Sequence, residues 1–258
     1  MRTLLAFTLL IPAATNAQHE TGFLNRSVRI GGVEYRYQVY VPRTYSDTAA
    51  WPVILALHGS GERGADGLLQ TQVGLAAAIR RYTDRYPAIV VFPQSPLTSD
   101  GWRGAPAEAA LAALDSTQSE FKTDSSRVYL TGLSMGGNGV WYLAYHHPER
   151  FAALVVACAF VNPIKTSSGV NYTPIGSASG DQAFEEIAQR IRKLPIWLFH
   201  GDVDPVAPVE ESRRMVAALR RVGNAARYTE LTGVGHNAWD PAYENPDLPV
   251  WLLAQRRK

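Results

Sequence analysis

Ser134 and His236, with carboxylates between them in the chain, are the residues best placed by type and spacing to do chemistry. A serine hydroxyl is a weak nucleophile until a base takes its proton. That base in turn needs a carboxylate to fix its tautomer and stabilise the imidazolium. Ser134 lies in Gly132-Leu133-Ser134-Met135-Gly136, behind the apolar run 127–130 and ahead of residues 138–145, which read as a helix. A strand, a sharp turn and a helix form the setting that a Gly-x-Ser-x-Gly nucleophile turn requires. The glycines have a mechanical part, because a side chain at 132 or 136 would strike the neighbouring strand or helix. At ordinary glycine usage this pentapeptide arises by chance in roughly one chain in ten of this length, so its partners decide the matter.

Both partners follow strands. The apolar run 196–199 ends in His200-Gly201-Asp202-Val203-Asp204-Pro205, and the run 226–231 ends in Gly233-Val234-Gly235-His236-Asn237. The C-terminal ends of strands are where open α/β sheets place their ligands. Upstream, residues 52–57 (PVILAL) read as a buried strand that enters His58-Gly59-Ser60-Gly61-Glu62-Arg63-Gly64, a glycine-rich loop suited to presenting backbone N–H groups. Three carboxylates compete for the acid role. Asp202 is suited to bonding loop backbone. Asp240, just before Pro241, has the pattern of a helix N-cap. Asp204 is the third.

The set HGSGERG, GLSMGG, HGDVDPVAP and GVGHNAWD resembles the α/β-hydrolase superfamily. More narrowly it is similar to secreted bacterial esterases of the phospholipase/carboxylesterase, dienelactone-hydrolase and polyhydroxybutyrate-depolymerase-like groups. Such proteins often carry the label "predicted peptidase" for their likeness to the prolyl-oligopeptidase catalytic domain. The resemblance runs from about residue 28 to 253. It implies a Ser-Asp-His order with Asp204, the aspartate of HGxxD, as the acid. It also implies an oxyanion hole built from the N–H of Met135 and a second N–H from the loop after Gly59, with Ser60 as that donor and Gly61 as the alternative. No cofactor is implied.

Composition agrees. The 258 residues, 46 % hydrophobic, suffice for one large core, and the formal charge of +2 carries no long basic run that would point to nucleic acid. Residues 1–17 have a basic start, an apolar stretch and small residues before Ala17, the pattern of a cleavable secretory signal peptide. The expectation is a secreted or periplasmic chain with no membrane span once processed, and residues 18–258 as a single catalytic domain. Cys158, the lone cysteine, reads as a buried packing residue. No spaced His, Cys and carboxylate set suggests a metal site.

The elements alternate. Residues 28–30 and 35–41 read as antiparallel strands around Gly31-Gly32. Strands at 52–57, 88–92, 127–131, 152–159, 196–199 and 226–231 are interleaved with helices near 68–82, 106–121, 138–145, 181–193, 209–222 and 241–253. That pattern predicts a mostly parallel sheet covered on both faces, with no large lid domain. Residues 161–180 are polar and glycine-containing, so the cleft should be open and favour acetyl over longer acyl groups. Trp102 and Arg103, from the loop 99–104, are expected on its rim, with Trp239 a weaker candidate because it begins a helix.

The remaining histidines have structural readings. His146 and His147 end a helix, His58 and His200 shape turns before glycines, and His19 lies in the processed tail. The expected activity is hydrolysis of small-molecule or carbohydrate esters. The alternatives are a serine peptidase of the prolyl-oligopeptidase type, an acyltransferase, and a non-catalytic binding protein on the same scaffold. A leader followed directly by the hydrolase leaves no room for a domain that would gate peptides.

Overall fold

The computed structural model describes residues 19–162 and 174–257. The predicted signal peptide and most of the 161–180 excursion lie outside the described residues.

Eight strands form one sheet: β1 (Gly22–Ile30), β2 (Val33–Val41), β3 (Trp51–Leu57), β4 (Ile89–Pro93), β5 (Thr123–Leu133), β6 (Ala153–Ala157), β7 (Ile196–Gly201) and β8 (Arg227–Leu231). Their spatial order is β1-β2-β4-β3-β5-β6-β7-β8. β2 runs antiparallel to both β1 and β4, and every other pairing is parallel. This is the α/β-hydrolase fold.

The alternation of side chains across the pleat divides the core in two. Val53, Leu55, Leu130, Leu154, Val156 and Leu198 face one side. They pack there against α2 (Ala105–Glu120), α3 (Met135–His146), α4 (Asp181–Ile191) and α5 (Val209–Arg221). Ile54, Val90, Tyr129, Val155 and Phe199 face the other side, under α1 (Leu75–Arg81), α6 (Trp239–Glu244) and α7 (Asp247–Leu253). Strands covered on both faces need continuous apolar sequence, which is why β4 and β6 are buried at every position.

Two helices differ from the sequence pattern. The helix expected over 68–82 is a 3-10 turn at Leu69–Thr71 followed by α1, with Gly74 between them at φ +64°. A Cβ on Gly74 would stand 2.6 Å from Leu133 Cδ2, so the chain breaks there to pass over the serine turn. The helix expected over 241–253 is two helices, parted where Asn245 is extended ahead of Pro246. Proline disfavours the α region for the residue before it.

Candidate active site

β5 delivers Ser134 into a turn at φ +52°, ψ −116°, and α3 begins at the next residue. Such backbone is costly for a residue with a side chain and persists only where its surroundings hold it. Here the Ser134 N–H donates to the Ala157 carbonyl at 3.0 Å, tying the turn to the end of β6. The flanking glycines permit that closeness. A Cβ on Gly132 would lie 2.3 Å from the Gly136 carbonyl oxygen, and one on Gly136 2.1 Å from that of Leu57. Neither position can hold a side chain without the turn moving.

The loops after β7 and β8 bring the partners. His236 Nε2 stands 2.9 Å from Ser134 Oγ, and His236 Nδ1 stands 2.7 Å from Asp204 Oδ2. A carboxylate only accepts, so Nδ1 carries the proton and Nε2 is free to take one from the serine. The Asp204 side chain is wholly buried. Burial would raise its carboxyl, but hydrogen bonds from His200 and His236 and the Val206 and Ala207 N–H groups outweigh it and hold the group well below the usual carboxylate range.

The other two aspartates are elsewhere. Asp202 accepts the Gly233 N–H at 2.7 Å and so braces one loop against the other. Asp240 is not the N-cap expected of it. It lies within the first turn of α6, where its N–H donates to Asn237 Oδ1 at 3.2 Å and its carboxylate accepts from Asn237 Nδ2 at 2.9 Å.

The loop after β3 is rigidly framed. The Ser95 N–H donates to His58 Nε2 at 2.9 Å, so the ring proton sits on Nδ1 and is donated to the Gly59 carbonyl at 2.6 Å. In a trans peptide the N–H points opposite to the C=O, so His58 also aims the Ser60 N–H away from itself. Gly59 lies against the nucleophile: a Cβ there would be 3.6 Å from Ser134 Cβ. Arg63 donates to the carbonyls of Ser60 and Leu97, and Gln94 Nε2 donates to that of Glu62. Gly61 has open space around it. Met135 opens α3, where the first N–H groups have no acceptor within the helix.

The three aromatic and basic rim candidates fall differently. Trp102 is only 1 % exposed, so it is not a rim residue. Its indole N–H donates to the His58 carbonyl at 3.1 Å, and its ring packs on the His58 imidazole and under Gly139. It braces the glycine-rich loop from beneath. Arg103 is half-buried and donates to Asn138 Oδ1 at 2.7 Å. Trp239, the weaker candidate, is half-buried with its ring edge-on to His236 at 5.5 Å between centroids.

Two titratable neighbours escaped sequence reasoning. His200 does not merely shape a turn: it is fully buried with Nε2 3.2 Å from Asp204 Oδ2. Its place in HGxxD, four residues from the acid, was the available signal. Glu62 turns one carboxylate oxygen inward, 3.1 Å from where a Gly59 Cβ would stand, and burial raises its carboxyl against the pull of nearby backbone N–H groups. Among the described residues no group of His, Cys and carboxylates could hold a metal ion, and no helix is long and apolar enough to cross a membrane. A cleft of about 1440 Å³, lined by Phe151, Lys193, Leu194, Pro195 and Arg256, opens at the opposite ends of β6 and β7, away from Ser134.

The sheet order and its helices define the class as the α/β-hydrolases, and Ser134, His236 and Asp204 stand in hydrogen-bonded series at the C-terminal edge of that sheet. Residues 99–248 match the prolyl oligopeptidase family, and the chain belongs to it. A solved structure described as a thermostable esterase is 32 % identical with TM-score 0.75, over 91 % of this chain and 63 % of that one. Feruloyl esterase B of Thermothelomyces thermophilus is 24 % identical over 93 % of this chain and 87 % of its own length. An uncharacterized secreted protein of Arthroderma benhamiae is 25 % identical over 73 % of this chain. The chain spans only 22 % of that fungal protein's length.

Proposed function

We propose that this protein is a secreted serine carboxylesterase acting on short-acyl or on carbohydrate- or phenol-linked carboxylic esters. The observation that carries the reading is the continuous relay from Ser134 Oγ through His236 to Asp204, at 2.9 and 2.7 Å. Ser134 Oγ attacks the acyl carbonyl as its proton passes to His236 Nε2. Asp204 holds the ring and stabilises the imidazolium. The negative charge that develops on the carbonyl oxygen is met by the N–H groups of Met135 and Ser60. Ser60 is favoured over Gly61 because His58 orients its peptide. Each such donor is typically worth about 3 kcal/mol in the transition state. His236 then protonates the departing alcohol. In the second half a water gives its proton to His236 and attacks the acyl-enzyme, releasing the acid and restoring Ser134.

The names of the similar proteins, a thermostable esterase and a feruloyl esterase, support ester rather than amide bonds. The half-buried Trp239 beside His236 gives an aromatic or sugar leaving group a surface to stack on. Export rests on the leader pattern of residues 1–17 and on the secreted relative. Family membership keeps a peptidase as the second reading.

A screen of p-nitrophenyl acetate, butyrate, octanoate and ferulate beside aminoacyl-p-nitroanilides separates the two. Ester turnover that is lost by several orders of magnitude in Ser134→Ala and in His236→Ala supports the proposal. Anilide turnover exceeding ester turnover, or ester turnover retained in Ser134→Ala, overturns it.

A further inference from the structure

His200 has no part in the relay just described, yet it is the most enclosed histidine near it. Its side chain is wholly buried, as is that of Asp204, whereas His236 is 20 % exposed. Nε2 lies 2.9 Å from the Ala207 carbonyl oxygen and 3.2 Å from Asp204 Oδ2. Both are pure acceptors, so Nε2 must carry the ring proton. The other nitrogen, Nδ1, faces Ser212 Oγ of α5 at 2.7 Å, and the hydroxyl donates to it. The tautomer is therefore set from both ends. Asp204 Oδ2 accepts the His236 N–H at 2.7 Å and lies 3.2 Å from His200 Nε2, whose N–H is shared with the Ala207 carbonyl, while Oδ1 receives the N–H groups of Val206 at 2.8 Å and Ala207 at 3.0 Å.

We propose that His200 is a positioning residue for the relay: a second imidazole that shares the Asp204 carboxylate with His236, fixes its plane, and limits how strongly it draws a proton onto His236. This rests on the Ser134–His236–Asp204 reading above.

The physical reason is competition for one anion. An imidazolium at His236 is stabilised by Asp204 in proportion to the charge left uncompensated on that carboxylate. Each further N–H on Oδ2 takes part of that charge. A base that is drawn too readily to its protonated form is out of action over a wider acidic range, because only neutral His236 can accept from Ser134.

Other groups around the pair are accounted for. Glu230 lies across from His200 in the β7/β8 register, and its carboxylate is bonded to Arg213 and Tyr228. The buried Cys158 thiol, at the end of β6, is pushed up by burial and by the charge of Asp204, and stays neutral. Neither supplies a donor to Oδ2.

The test reads His236 itself, so it does not require that the substrate be known. The His236 imidazole is titrated by NMR in wild type, His200→Leu, His200→Gln and Ser212→Ala. In His200→Leu, which removes the donor, the His236 midpoint should rise by about one pH unit, and in His200→Gln, whose amide N–H can stand where Nε2 stood, by much less. Ser212→Ala, which only loosens the tautomer, should move it in the same direction by a smaller amount. It keeps the inference open to refutation if His200→Leu fails to fold. The acid limb of kcat for ester hydrolysis should follow the same shifts. A His236 midpoint unmoved in His200→Leu, or in Ser212→Ala where His200→Leu does not fold, overturns the inference and leaves His200 a loop prop. A wild type that turns over no ester, with the midpoint shifts still present, overturns the esterase reading instead.

Discussion

His58 makes the pH dependence of stability calculable at one residue. Its imidazole is fully enclosed, accepts from the Ser95 N–H and donates to the Gly59 carbonyl. Burial brings its pKa down from 6.5 to about 4, with the Gly59 bond opposing and the Arg63 charge assisting. A group depressed on folding is protonated first in the unfolded chain, so falling pH favours unfolding. Stability is whole above 6.5 and drains away as pH falls from there toward 4. With those two values, the linkage relation gives a loss of about 2 kcal/mol between pH 7 and pH 5, and about 3 kcal/mol by pH 4. The perturbation is His58→Gln, which cannot titrate. It should lower stability at pH 7, since one of the two ring bonds is lost. Its further loss between pH 7 and 5 should be smaller than that of wild type by about 2 kcal/mol. Urea unfolding at the two pH values measures the difference, and carboxylates elsewhere titrate alike in both proteins and cancel. An identical decrement in wild type and variant would refute the argument that a neutral, buried His58 frames this loop.

Asp204→Asn should reduce kcat by orders of magnitude, with Asp202→Asn and Asp240→Asn close to wild type in turnover; steady-state kinetics on one soluble ester checks all three. Trp102→Ala should destabilise by about 3–5 kcal/mol as a core truncation and should lower kcat because the loop holding Ser60 loses its brace, both read from unfolding curves and kinetics at matched temperature. Gly136→Ala should fail to give a folded, probe-labelled protein, since its Cβ would meet the Leu57 carbonyl at 2.1 Å; fluorophosphonate labelling beside circular dichroism decides it.

What the sequence made legible follows a physical division. Strands β3, β4, β6 and β7 were readable because both faces of a parallel sheet are covered, leaving unbroken apolar runs, while β3, β5, β7 and β8 each lead into a glycine-containing motif. The turn at Ser134 and the loop that carries His236 were readable because turn chemistry and chain order are local or ordinal properties. Trp102 was misread for the opposite reason. A tryptophan in a glycine-flanked loop looks exposed, and nothing in its neighbourhood reveals that the loop folds under His58. The break before Pro246 had a signal in the pre-proline residue, but the apolar spacing on either side spoke for one helix. Asp240 beside Pro241 resembles a cap in sequence, yet α6 starts before it with Asn237 serving its N–H. The closeness of His200 to Asp204 spans only four residues of HGxxD, and was missed because a histidine ahead of a glycine at a strand end reads equally well as a turn residue.

The geometry of the relay is set less by its side chains than by a series of backbone bonds across the strand ends. The Ser134 N–H is held by Ala157 at the end of β6, and the Cys158 N–H by Phe199 of β7 at 2.8 Å. The Asp202 N–H is held by Leu231 at the end of β8 at 3.1 Å. Gly201 lets the chain before His236 pass within 2.1 Å of where a Cβ would stand. Among the described residues, Ser134 and Cys158 are the non-glycine positions with positive φ, at +52° and +43°, and they sit at the ends of adjacent strands. Strain at the serine is thus not borne by one turn. It is shared with the next strand, whose own end is tied to β7, the strand that leads to Asp204. Cys158 is fully buried in the core under α6 and α7, at a backbone conformation that glycine would adopt at lower cost. Catalysis by preorganised groups requires that they not relax as charge develops, and side chains on flexible loops could not meet that requirement alone. Bonding each strand end to its neighbour does, because moving Ser134 relative to Asp204 would require breaking this series of bonds across the strand ends.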